Sequence, residues 1–292
     1  MILSKKKCKE NYIKVYYGKD VEYKNGFENQ GRNDIDFVFA PYNNFKPKLN
    51  KEFIIKEGNL LLIFLSPSAK SLSNLFNGFY DLNTKYIISI DFSLYNTSLI
   101  NDMSSLFYNC YSLTSINLDN FNAASVTNMK SMFSGCYSLQ FINLSNLNSS
   151  KLVDMGHMFS RCTQLKSLDL SFLDTSLVTN MNNMFEKCTS LNFLNISYFN
   201  MQQVQSAENM FLKIKNLLFV NLYHVKNTKE YITKSPLNET NNLTVCQKES
   251  LVTNPNATYN CCIYNYEIDE CEKTMPTTII TILNEESTLI KP

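Results

Sequence analysis

The sequence predicts an α/β solenoid in which units of 26 residues stack on one another. Three apolar series recur with this period and stay in phase over five units. The series are the pairs Leu106-Phe107, Met132-Phe133, Met158-Phe159, Met184-Phe185 and Met210-Phe211, then Leu113, Leu139, Leu165, Leu191 and Leu217, then Ile116, Ile142, Leu168, Leu194 and Val220. A fixed period of this length is typical of repeat proteins, whose units bury their apolar faces only by stacking.

The first half of each unit has the apolar spacing of a helix. In the stretch TNMKSMFSGC, residues Met129, Met132, Phe133 and Cys136 stand at i, i+3, i+4 and i+7, which is one stripe of an α-helix. A side chain that can accept a hydrogen bond from the first turn precedes the stripe in every unit. These residues are Asp102, Asn128, Asp154, Asn180 and Ser206. The pattern predicts a capped helix of about two turns in each unit.

The second half of each unit alternates in the manner of a strand. In SLQFINL, the apolar residues Leu139, Ile142 and Leu144 are interleaved with Phe141 and Asn143. This predicts a short strand with one buried face. Strand plus short helix, repeated and stacked, predicts a leucine-rich-repeat solenoid with a parallel sheet on one face.

The repeat divides the chain into three regions. Residues 1–58 are aromatic and non-repetitive, and we expect them to form an N-terminal cap. Residues 59–227 form the predicted solenoid, with clean repeats over about 87–225. Residues 228–292 form a polar tail that contains cysteine, and we expect it to be disulfide-bridged or partly disordered.

The units SVTNMKSMFSGCYSLQFINLSNLN and LVTNMNNMFEKCTSLNFLNISYFN resemble the BspA-like leucine-rich repeats, also called the Treponema pallidum type. The resemblance implies a cell-surface or extracellular solenoid used in attachment or protein binding. The fifth unit, VQSAENMFLKIKNLLFVNLYHV, departs from the family pattern.

Composition narrows the classes of function. The net charge is +1 with interspersed signs, whereas nucleic-acid binders usually concentrate basic residues on one face. We expect no membrane insertion, since no apolar run approaches the roughly 20 residues that span a bilayer. We also expect no secretory leader, because no apolar run follows the basic cluster in MILSKKKCKE. No catalytic or cofactor-binding motif is found, so the sequence predicts a protein that is not an enzyme and has no cofactor or metal.

The cysteines fall into two groups. One per unit forms a ladder, Cys110, Cys136, Cys162 and Cys188, and the fifth unit carries Ile214 instead. An aliphatic equivalent favours apolar packing, and helices about 10 Å wide would keep the thiols too far apart for disulfides. In the tail, we expect disulfides among Cys246, Cys261, Cys262 and Cys271. The tail sequons Asn238, Asn242 and Asn256 are candidate glycosylation sites.

The strand face that points away from the core is the candidate binding surface. It carries a column of Asp and Asn, which either form a structural ladder of side-chain hydrogen bonds or bind a ligand. Several aromatic residues beside this column predict an exposed apolar patch. The candidate residues are Asp91, Asn117, Phe141, Asn143, Asp169, Phe193, Asn195, Phe219, Asn221 and Tyr223.

These features predict a non-enzymatic adhesion or protein-binding solenoid. The expected partner is a protein or glycan on a host or neighbouring cell, with no nucleic-acid partner. Two alternatives stay open: a structural surface-coat protein without a specific ligand, and an intracellular leucine-rich-repeat scaffold.

Overall fold

The computed structural model describes residues 12–23, 35–39, 53–55, 60–66, 68–78, 84–147, 150–226, 237, 243–246 and 258–259. It confirms the predicted period and the parallel sheet. Strands β6 (Ile87–Asp91) and β7 (Ser115–Asn117) pair in parallel. So do β8 (Ser167–Asp169), β9 (Phe193–Asn195) and β10 (Phe219–Asn221), with partners one full repeat apart.

The predicted strand is missing from one unit. Phe141, Ile142 and Asn143 are not part of a strand, although Lys166 still donates a backbone hydrogen bond to Gln140 across the coils at 3.0 Å. The sheet of β7 therefore ends before the sheet of β8 begins. The strand that the sequence predicts for this unit is therefore wrong.

Antiparallel strands adjoin the start of the solenoid. The first five-stranded sheet has the order β3-β5-β1-β6-β7, in which β1 is Ile13–Tyr17, β3 is Ile35–Phe39 and β5 is Leu60–Leu65. Strand β1 is antiparallel to β5 on one side and to β6 on the other. A separate pair joins β2 (Val21–Tyr23) to β4 (Phe53–Ile55). The cap predicted for residues 1–58 stays a prediction.

An ion pair joins β1 to the solenoid. The Lys14 ammonium lies 2.9 Å from the Asp91 carboxylate, and both side chains are half-buried. Burial alone raises the pKa of Asp91, but hydrogen bonds from Ser93 and Lys14 outweigh it and lower that pKa below its ordinary value. The hydrogen bond to Asp91 raises the pKa of Lys14.

We expect Asp91→Asn to lower the free energy of unfolding by up to about 1 kcal/mol at neutral pH. The lowered pKa of Asp91 stabilises the fold above pH 3.8, and this contribution is lost as the pH falls through the folded-state value. Because the pKa of Lys14 is raised, the contribution of Lys14 to the stability of the fold is retained up to at least pH 10.5. Urea unfolding of wild type and variant between pH 2 and 8 measures the difference. Asp169→Asn is the matched control, because Asp169 occupies the same column on an exposed site without a described ion pair. A difference that persists unchanged at pH 2 would contradict the electrostatic origin.

The sheet continues beyond residue 227. Strand β11 (Thr244–Cys246) pairs in parallel with β10, and β12 (Thr258–Tyr259) pairs in parallel with β11. In β11 the partner of Asn221 is Cys246, so the period shortens by one position here. The domain boundaries at residues 58 and 227 stay predictions.

The predicted helices are wrong. In the second unit, the N–H groups of Met129, Ser131, Phe133 and Gly135 donate to carbonyls of the next coil at 2.8–2.9 Å. The alternate N–H groups of Met132, Ser134 and Cys136 close turns to the residue three positions earlier. An α-helix would use these donors internally, from i to i−4. Each unit therefore has a turn segment that is bonded laterally to its neighbours, as a strand is.

Two residues with a left-handed backbone conformation, four positions apart, bend each turn segment. The pairs are Ser105 and Asn109, Ser131 and Gly135, His157 and Arg161, Asn183 and Lys187, and Asn209 and Lys213, with φ between 53° and 79°. A bend every four residues gives nearly the apolar spacing of a helix, which explains why the helical stripe was predicted. The left-handed conformation costs about 1–2 kcal/mol for a side chain other than Gly, and the bonds between coils offset it.

The residues predicted as helix caps open the turn segments instead. The side-chain oxygens of Asp102, Asn128, Asp154 and Asn180 accept a hydrogen bond from the N–H two residues later, at 2.8–3.1 Å. The same residues bridge from coil to coil in parallel register, from Ser71 through to Ser206. The predicted role as helix caps is thus wrong, and these four residues instead stabilise the start of a turn segment through side-chain hydrogen bonds.

The core lies between the turn segments and the strands. Its central feature is a column of fully buried phenylalanine rings, with centroids 5.3–6.0 Å apart from one coil to the next. The column comprises Phe76, Phe107, Phe133, Phe159, Phe185 and Phe211. Each unit packs on its neighbours. The buried apolar residues therefore form one cluster that continues along the stack.

Candidate functional site

The Asp and Asn column of the strand face is built into the backbone. In all six residues the side-chain oxygen accepts a hydrogen bond at 2.8–3.2 Å from the N–H two positions later, which closes a turn after the strand. These residues are Asp91, Asn117, Asn143, Asp169, Asn195 and Asn221. The predicted ladder of hydrogen bonds between neighbouring side chains is therefore wrong, because these oxygens bond to their own backbone.

Exposure varies along this column. Asn143 and Asp169 are exposed, Asp91 and Asn117 are half-buried, and Asn195 and Asn221 are buried. Only the middle of the column therefore presents polar groups that a partner can reach. Ligand binding by this column stays a prediction.

The predicted exposed patch is wrong for two of its aromatic residues. Phe193 and Phe219 are each only 2% exposed, and their rings stack at 5.2 Å. Both lie outside the contiguous apolar core, on the other face of the sheet as their alternation predicts. Phe141 is half-buried beneath the Lys166 ammonium, 5.3 Å from the ring centroid.

Among the described residues, the most exposed tyrosine lies just after a strand instead. Tyr198 is 58% exposed, and its ring stacks on the exposed imidazole of His224 with centroids 4.7 Å apart. Half-buried Tyr223 meets His224 edge-on at 4.7 Å. We call Tyr198, Tyr223 and His224 the strand-end patch. Of these residues, only Tyr223 was among the predicted site residues.

A sequence signal for the strand-end patch exists. Phe172, Tyr198 and His224 recur with the period of the repeat, so they occupy one column at the turn after the strand. Earlier units carry Asn120 and Asn146 there. Three ring-bearing residues in succession at a turn position would have predicted a stacked surface row.

The ladder cysteines pack in the core, as predicted. All four are fully buried and not in disulfides. Each thiol donates a hydrogen bond at 3.1–3.2 Å to the carbonyl of a phenylalanine in the preceding coil. Burial raises the pKa of Cys136, Cys162 and Cys188 well above the ordinary value, and the neighbouring ladder cysteine adds to the shift.

One predicted disulfide partner belongs to the sheet. Cys246 lies in β11 and is 1% exposed, and its assignment as a disulfide candidate stays a prediction. Cys261, Cys262 and Cys271 lie outside the described residues, as do the sequons at Asn238, Asn242 and Asn256.

Among the described side chains, no group of three or more His, Cys, Asp or Glu could hold a metal ion. Over the same ranges, no helix is long and apolar enough to cross a membrane.

Parallel coils repeated at a fixed period around one core define a solenoid repeat protein. The chain belongs to the family described as Mycoplasma protein of unknown function, DUF285, whose model matches residues 70–171 and 138–243. Together these matches run from the first turn segment to the edge of β11. No curated protein and no solved structure matches the chain.

Proposed function

We propose that this chain is a non-enzymatic, protein-binding solenoid that mediates attachment at a cell surface. The observation that carries the proposal is the stacked, exposed pair of Tyr198 and His224 on a laterally bonded scaffold. Aromatic side chains are enriched among the residues that dominate binding energy at interfaces. Because stacking already orders both rings, association costs less side-chain entropy.

The strand face extends this contact surface. Exposed Asn143 and Asp169 and half-buried Phe141 lie in the units that precede the strand-end patch. A polar rim beside an aromatic centre is the usual anatomy of a protein interface. The BspA-like type of repeat, the extracellular location and a protein or glycan partner on a host or neighbouring cell are parts of this proposal.

Attachment of coated beads tests the proposal. Fluorescent beads carrying the full chain are applied to a monolayer of cultured epithelial cells, and bound beads are counted after washing. We expect the double variant Tyr198→Ser/His224→Ser to reduce attachment about tenfold or more, since loss of a central aromatic contact costs about 2 kcal/mol or more.

A second stacked pair provides the matched control. Tyr111 and Tyr137 stack at 4.9 Å and are each 37% exposed, in a different part of the repeat. Tyr111→Ser/Tyr137→Ser should leave attachment unchanged. Equal loss in both double variants, or no loss in either, would contradict the role of the strand-end patch. Ordered self-assembly of the chain without attachment would favour a coat protein.

A further inference from the structure

A polar groove of about 330 Å³ crosses the turn segments of several coils. It runs from Tyr108 at one end to Glu186 at the other, which are equivalent positions three units apart. Its residues come from the turn segments, so the groove is separate from the strand-end patch. The volume lies at the lower end of the range of about 300–1,000 Å³ found for small-ligand sites.

Small residues in the repeat columns open this groove. Between Tyr108 and Glu186 the same column carries Ser134 and Ser160. In the adjacent column, Gly135 separates Asn109 from Arg161. A Cβ atom on Gly135 would collide with the side-chain oxygen of Asn109, and its φ of 79° also favours glycine. The groove is therefore a local interruption of otherwise bulky columns.

The sides of the groove are basic. Lys130 and Arg161 are exposed and line the groove, and neither has an ion-pair partner within the described part of the chain. The acidic group at the end is already neutralised, because Glu186 accepts a bond from Lys187 at 2.6 Å and from the Ser160 hydroxyl at 3.3 Å. Burial alone raises the pKa of Glu186, but these bonds and the nearby charge of Arg161 lower it below its ordinary value, so it is a carboxylate at neutral pH.

The floor of the groove has an unused hydroxyl group. Ser134 is only 7% exposed, and its side chain has no hydrogen-bond partner among the described residues, although it lines the groove. Half-buried His157 also lines the groove, and its Nε2 is 3.5 Å from the Asn183 amide nitrogen. Burial and nearby Lys130 lower the pKa of His157, so the imidazole is neutral at pH 7 and can accept or donate one hydrogen bond.

We infer that this groove binds an acidic sugar, with its oxyanion between Lys130 and Arg161 and its hydroxyl groups towards Ser134 and His157. The described lining contains hydroxyl, amide, imidazole, guanidinium, ammonium and carboxylate groups and no aliphatic side chain. Such a lining suits a polyhydroxylated ligand, whereas apolar ligands need the hydrophobic walls of ordinary pockets. Two unpaired cations supply the charge-assisted bonds that hold a carboxylate or sulfate.

Ligand-observed NMR with the full chain tests this inference. The probes are glucuronate, neutral glucose and inorganic sulfate. We expect glucuronate to bind and glucose to bind at least about tenfold more weakly, because only glucuronate carries the anionic group that forms charge-assisted bonds. Arg161→Gln and Lys130→Gln should each weaken glucuronate binding by about tenfold, and Ser134→Ala should weaken it without altering the fold.

Lys213→Gln is the matched control. Lys213 occupies the column of Arg161 two units further on, with φ 65°, and is exposed outside the groove. Its loss should leave glucuronate binding unchanged, and circular dichroism checks that every variant is folded. Equal binding of glucose and glucuronate would overturn the inference, and so would wild-type affinity in Arg161→Gln and Lys130→Gln. Binding of sulfate with none of glucuronate would overturn the assignment to a sugar.

Discussion

Replacing Phe159 with alanine is expected to lower the free energy of unfolding by about 3–5 kcal/mol, the usual loss for a fully buried phenylalanine. The ring is fully buried and stacks on Phe133 at 5.4 Å and on Phe185 at 6.0 Å. Its removal leaves a cavity at two coil interfaces at once. In a solenoid such interfaces supply most of the cooperativity, so the variant should also unfold over a broader range of urea concentration.

Urea titrations followed by circular dichroism measure this effect. The control is Tyr198→Ala, which removes an aromatic ring that is 58% exposed and should change the free energy of unfolding by no more than about 0.5 kcal/mol. If the two variants unfold at the same urea concentration, the phenylalanine column does not hold the stack together. A lower m-value for Phe159→Ala alone would show that the coils on either side unfold separately.

The period and the strand register could be predicted because each is determined by side chains that recur. An apolar residue at the same place in every unit has to meet its equivalent in the next coil, and Leu168 does lie opposite Leu194. The nature of the turn segments could not be predicted from the same residues. Spacing of i, i+3, i+4 and i+7 arises from an α-helix and equally from a chain bent at every fourth residue.

Backbone hydrogen bonds decide between these two structures. Asn109, Gly135 and Asn183 favour the left-handed conformation, and their spacing was a usable signal for bends. Arg161 and Lys187 adopt the same conformation without favouring it. At those positions the ladder between coils imposes the bend, and a single unit of sequence does not contain that information.

The strand face was likewise predicted only in part. Alternation correctly placed Phe193 and Phe219 on the side of the sheet away from the core. Their exposure depends on which other residues pack against that side of the sheet. The period of the repeat contains no information about those residues. The groove between Tyr108 and Glu186 was missed for a related reason. It results from small residues in two adjacent columns, and only the three-dimensional stack makes those columns neighbours.

Alkylation of the ladder thiols Cys136, Cys162 and Cys188 is expected to be at least about a thousandfold slower in the native chain than in the unfolded chain. Each thiol is fully buried, its pKa is raised well above the ordinary value, and it is hydrogen-bonded to a carbonyl of the preceding coil. The reactive species is the thiolate, so reaction requires opening of the stack. An opening free energy of about 5 kcal/mol or more corresponds to a factor above a thousand.

Peptide-resolved mass spectrometry after iodoacetamide labelling at pH 7.5 measures the rate at each cysteine, with and without urea. The control is Tyr198→Cys, which places a thiol on the strand-end patch at a site that is 58% exposed in the wild type and should react at nearly the unfolded rate. Phe159→Ala should raise the rates at Cys136, Cys162 and Cys188 together, because a weaker column opens more often. Fast labelling of these three in the native wild type would contradict a packed core at the turn segments. Rates that Phe159→Ala leaves unchanged would show that the thiols become accessible by fluctuations independent of the phenylalanine column.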